Sequence, residues 1–107
     1  MGQKIQYRPD LYLGESISGK KLDKIKTKLE KHPILSGVWL IAISQNPHDQ
    51  LEILSARQLE QRYYEEYPVE VVGIAGNYDE AVAVVEQMVQ ECLTERGDCA
   101  LKEYLLC

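Results

Sequence analysis

Two stretches of the chain are apolar on both sides of an extended backbone, and such strands cannot face water on either side. In residues 37–44 (GVWLIAIS), Val38, Leu40 and Ala42 project to one face, while Trp39, Ile41 and Ile43 project to the other. In residues 69–74 (VEVVGI), simple alternation sets Val69, Val71 and Gly73 against Glu70, Val72 and Ile74. Each strand needs cover above and below. Either helices pack on both faces of one sheet, or one bare face is buried in a homodimer, and the supply of helices favours the first.

Those helices are legible from periodicity and caps. Ser18 is placed to cap a helix running to about Lys31, with Leu22, Ile25 and Leu29 on one narrow stripe. Pro33 ends it, and His32 sits at the negative end of its dipole. Ser55 and Gln58 form a capping-box pattern for a short helix to about Tyr64. Asn77 and Glu80 do the same for a longer helix ending at Gly97, with Tyr78, Ala81, Val82, Val85, Met88, Val89 and Cys92 on its apolar arc and Val84 and Leu93 at the margins.

Residues 45–49 compose a turn, and residues 51–54 supply a strand that an antiparallel hairpin joins to the one before it. Residues 11–13 are a short first-strand candidate. Residues 1–10 are a lead-in segment or an edge strand, and residues 99–104 read better as a last strand than as a helical turn over 100–106. The expected order is β-α-β-β-α-β-α-β: one α/β domain over residues 11–107, with a mixed four- or five-stranded sheet and helices on both faces.

Composition narrows the function classes. The 107 residues carry a formal charge of −5, which argues against general attraction to nucleic acid or anionic membranes. No apolar run approaches the roughly eighteen residues of a membrane span, and the N-terminus lacks a signal-peptide core. Three cysteines without a CxxC pair read as reduced thiols in a cytoplasmic protein. With seven Tyr, one Trp and no Phe, aliphatic side chains must supply most of the core.

The turn from Gly73 to Gly76 opens a helix, where free N–H groups attract anions. Here the Asn77–Glu80 cap occupies those groups, and Asp79 and Glu80 repel a phosphate. Structural punctuation is therefore the expectation, and a ligand contacting Gly76, Asn77 and Tyr78 would be neutral or cationic. Tyr63, Tyr64 and Tyr67 gather at a helix end as interface candidates. Lys20, Lys21, Lys24, Lys26, Lys28 and Lys31 make a basic helix, yet neither Arg nor an aromatic is interleaved for base reading or stacking.

Catalytic residues are not apparent. His32 adjoins a proline, His48 and Asp49 are neighbours in a turn, and Cys92 falls on the buried arc. No ligand pair has metal-binding spacing, and no cofactor is implied.

The segments LYLGESISGKKLDKIKTKLE, NPHDQLEILSA and VVGIAGNYDEA resemble parts of a group of small, uncharacterised bacterial proteins of about this length. The resemblance implies a cytoplasmic bacterial protein and transfers no activity, cofactor or site residue. The expectation is a non-enzymatic accessory module acting through a protein partner or self-association. The alternatives are a small-ligand sensor or small enzyme using the loop after Gly73, and nucleic-acid contact through the lysine helix.

Overall fold

A computed structural model describes residues 5–32, 37–44, 49–60 and 66–106. The elements are β1 (Ile5–Leu13), α1 (Gly19–Lys31), β2 (Trp39–Ile43), β3 (Leu51–Ser55), a 3-10 turn (Ala56–Glu60), β4 (Val69–Ala75), α2 (Tyr78–Arg96) and α3 (Leu101–Leu106). The four strands form one mixed sheet in the order β1-β4-β2-β3. β4 runs parallel to β1 and antiparallel to β2, and β2 and β3 form the expected antiparallel pair.

Helices cover both faces. Leu29 of α1 is buried with Val38, Leu40, Ala42 and Leu54, and Leu22 and Ile25 pack at the margin of that core. Ala81, Val84, Met88 and Cys92 of α2, with Leu101 and Leu105 of α3, are buried on the opposite face against Ile41, Val72 and Ala75. The two-sided reading of residues 37–44 therefore holds residue by residue.

In β4 the alternation breaks. Ile41 pairs with Gly73 while Ala42 pairs with Val71, leaving Val72 as the extra residue of a β-bulge. Val72 and Gly73 consequently both face α2, and Ile74 joins Val69 and Val71 in the α1-side core. The bulge brings bare backbone to the helix: a Cβ on Gly73 would lie 2.9 Å from Ile41 Cδ1 and 3.3 Å from both Met88 Cε and the Tyr12 carbonyl oxygen. The buried stripe of α2 is accordingly centred on Val84 and Met88, leaving Tyr78 and Leu93 exposed.

Of the two readings of residues 1–10, the structure has residues 5–10 in the edge strand β1. Other expectations change. Ser18 occupies the N-cap position of α1 with extended backbone, but its side chain makes no capping bond. Residues 101–106 are helical, not a fifth strand. The Gln50 side chain accepts hydrogen bonds from Leu101 N–H and Lys102 N–H, so the first turn of α3 is capped from the β2–β3 connection. Arg96 bonds to both Asp98 and Glu103 and fixes the α2–α3 joint. After Ser55, whose N–H donates to Gln58 Oε1 at 2.9 Å, the chain enters a 3-10 turn over residues 56–60.

Replacing Gly73 with alanine is expected to destabilise the domain by about 1–3 kcal/mol through overpacking. The check is the chemical denaturation midpoint; an unchanged midpoint would mean that α2 moves away freely.

Candidate functional site

The loop after β4 is closed by the side chain of Glu80. Asn77 Oδ1 accepts from Glu80 N–H at 2.8 Å, the cap expected from the sequence. The Glu80 carboxylate reaches back one residue further than a standard capping box, accepting from Gly76 N–H at 3.0 Å. The same oxygen accepts from Ser16 N–H at 3.1 Å and from the Ser16 hydroxyl at 2.9 Å. Glu80 thereby ties the β4–α2 loop to the β1–α1 loop.

Two glycines make room for this contact. A Cβ on Gly14 would lie 2.0 Å from Glu80 Oε1, and one on Gly76 would lie 2.2 Å from Ser16 Oγ. Partial burial pushes the Glu80 carboxyl up, but the bonds from Gly76 and Ser16 outweigh it, and the pKa falls below the ordinary 4.5.

The Gly76 and Glu80 N–H groups at the helix start are thus spent on the chain itself. Beside the helix start lies a cleft of about 430 Å³ whose polar lining includes Glu15, Asp79, Glu80 and Gln87. Gly76, Asn77 and Tyr78 are not among its lining residues. Tyr78 instead points to the α2 side of the sheet, where its ring meets Trp39 edge-to-face with centroids 5.4 Å apart and planes at 78°. The sequence-derived trio is split: Gly76 and Asn77 serve the cap, and Tyr78 belongs to an aromatic surface.

Of the tyrosine cluster, Tyr63 and Tyr64 lie outside the described residues, as do Pro33, the turn at 45–48 with His48, and Cys107. Tyr67 is exposed. Cys92 is fully buried, and burial, then the charge of Asp98, pushes its thiol pKa up. On β1, burial and a hydrogen bond to Glu91 raise Tyr12 to about 12. Burial and the charge of Glu30 likewise raise Tyr7 to about 12. The Tyr7 hydroxyl and Arg8 Nη1 are buried without hydrogen-bond partners, and the two residues engage through rings: Lys26 Nζ over Tyr7 at 4.8 Å and Arg8 over Tyr12 at 5.8 Å. Among the described residues, no cluster of His, Cys, Asp and Glu is placed to hold a metal, and no helix is long and apolar enough to cross a membrane.

The free edge of β3 was not singled out by sequence. Leu40 opposes Leu54 and Ala42 opposes Glu52, while Ser44 N–H donates to the Gln50 carbonyl and Ala56 N–H to the Val38 carbonyl. That spacing turns the backbone groups of Gln50, Glu52, Leu54 and Ala56 toward β2 and those of Leu51, Ile53 and Ser55 outward. Gln58 caps the Ser55 N–H, and the outward groups of Leu51 and Ile53 are unpaired among the described residues. β3 (LEILS) has no proline, lysine or bulge to blunt this edge. The opposite edge, β1, carries Pro9, Asp10 and a break in register between Tyr7 and Tyr12. Leu51 and Ile53 are half-buried and share the α2 side with Trp39 and Ile43.

Comparison with protein-family models, curated proteins and solved structures finds no match for the chain.

Glu80→Ala is expected to cost about 1–2 kcal/mol, the range of a lost cap with a part-buried hydrogen bond. Because the folded-state pKa of Glu80 is depressed, its contribution is whole above the ordinary 4.5 and is lost as pH falls through the folded value. The stability gap between wild type and Glu80→Gln should therefore shrink on acidification, as read by urea denaturation across that range. A gap independent of pH would show that the carboxylate charge contributes nothing to the tie.

Proposed function

We propose that this domain is a protein-binding module that accepts an extended segment of another polypeptide along the free edge of β3. The observation that carries the reading is that the outward backbone groups of Leu51 and Ile53 are unpaired among the described residues, on an edge strand without proline, lysine or bulge. Strand addition supplies affinity through main-chain hydrogen bonds, and adjacent side chains supply selectivity. Trp39 and Tyr78 stand on the same side of the sheet and offer the aromatic area that interfaces favour. Support also comes from the commitments elsewhere: Glu80 and Asn77 are engaged in the cap, and Cys92 is buried with a raised pKa.

Ile53→Pro removes an outward N–H that no bond among the described residues uses, a position where an edge strand tolerates proline. Proteins retained from the native host by the immobilised wild-type domain should be lost with Ile53→Pro. They should be reduced with Tyr78→Ala and kept with a Lys24→Glu, Lys28→Glu control on the exposed face of α1. An identical retained set for wild type and Ile53→Pro, with circular dichroism confirming the fold, would reject the β3 edge as the binding surface. Retention lost only in the lysine control would shift the function to α1.

A further inference from the structure

We infer that the segment accepted by β3 comes from a different protein and reads apolar–basic–apolar, with a lysine or arginine opposite Glu52; this rests on the strand-addition reading above. Glu52 is the middle residue of β3, and its side chain makes no hydrogen bond or ion pair among the described residues. Its side chain lies on the α1 side of the sheet, since it opposes Ala42 of the α1-side core. Leu51 and Ile53 lie on the α2 side.

A second copy of this chain is a poor occupant. Two-fold pairing of β3 with itself offers three short registers. Centred on Glu52, it sets the two Glu52 side chains directly opposite each other in a non-hydrogen-bonded pair, where side chains approach most closely and like charges destabilise. Centred on Ile53, it calls on the Ser55 N–H, which Gln58 already holds at 2.9 Å. Centred on Leu51, it sets Ile53 against Asp49, beyond the end of the strand. Each register loses something that a foreign strand keeps.

A foreign antiparallel strand places apolar side chains opposite Leu51 and Ile53. There they extend the apolar row from Ile43 and Ile41 on the α2 side. Its intervening residue emerges on the α1 side against Glu52, and a cation there is a favourable cross-strand pair. No lysine of α1 forms an ion pair with Glu52 among the described residues. Lys26 of α1 sits over Tyr7 on β1, at the far edge of the sheet. Three inter-strand steps of about 4.8 Å separate the two edges, more than a Debye length of about 8 Å at physiological salt.

The test uses ¹⁵N-labelled protein titrated with two nine-residue peptides: acetyl-Gly-Thr-Thr-Val-Lys-Val-Thr-Thr-Gly-amide and its counterpart with Glu in place of Lys. The lysine peptide is expected to shift the Leu51 and Ile53 amide resonances and to bind about three- to tenfold more tightly than the glutamate peptide. Glu52→Lys, a surface exchange that leaves the core intact, should invert the preference, and Ile53→Pro should abolish both responses. Equal affinity for the two peptides in wild type and in Glu52→Lys overturns the basic-residue assignment while leaving strand addition standing. Silence at Leu51 and Ile53 with either peptide overturns strand addition itself. A wild-type dimer in sedimentation that Ile53→Pro dissolves would assign the edge to a second copy and overturn the foreign-partner inference.

Discussion

Strand β4 exchanges hydrogen bonds with a neighbour on each side and contributes side chains to both cores, so the placement of every other element depends on it. Its bulge at Val72–Gly73 reconciles the two cores. It turns two successive residues toward α2 and restores Ile74 to the α1 side. Without a side chain at Gly73, Met88 and Ile41 close over the backbone, and α2 seats directly on the sheet. The carboxyl end of the same strand runs into the Asn77 cap, and the Glu80 bonds carry the constraint on to the β1–α1 loop.

The arrangement has a functional corollary. A helix N-terminus following a central strand of an α/β sheet is a common ligand position, but here the Gly76 and Glu80 N–H groups are met by side chains of the chain itself. The cleft beside it carries three carboxylates, so its potential is unfavourable to anions. At the β3 edge of the sheet, by contrast, the outward backbone groups of Leu51 and Ile53 are unpaired among the described residues, on the sheet that also carries the Trp39–Tyr78 pair. The helices also divide the molecule electrically. α1 carries six lysines against two carboxylates, whereas α2 carries five carboxylates against one arginine, and the two lie on opposite faces of the sheet. A charged partner would therefore meet the domain in a preferred orientation.

The features legible in the sequence are those fixed by neighbouring residues. The apolar alternation of residues 37–44 gives both faces of β2, and the Asn77–Glu80 spacing gives the cap. Gly97 gives the end of α2, adopting a left-handed φ of 77°. What the sequence concealed depends on residues far apart. α3 is helical because Leu101 and Leu105, four residues apart, are both buried on the α2 side and Gln50, 51 positions earlier, accepts from the N–H of its first turn. The β4 bulge follows from packing Gly73 between Ile41 and Met88, and alternation alone placed Gly73 and Ile74 on the wrong faces. The free edge of β3 was invisible because strand order, not strand identity, decides which backbone groups lack a neighbour.

The pairing of β1 with β4 bears on how the chain acquires its shape. β2 and β3 meet across a short connection, but β1, among the described residues, pairs only with β4, and the loops at that junction are tied by Ser16 and Glu80, 64 residues apart. A ribosome releasing this chain exposes β1 and α1 long before the strand that receives them exists. The β2–β3 hairpin and α2 assemble from local contacts, while closure of β1 must await most of the synthesis and bear the entropy of a long loop. Until then, an N-terminal strand with half its residues apolar is left to the solvent or to whatever holds nascent chains.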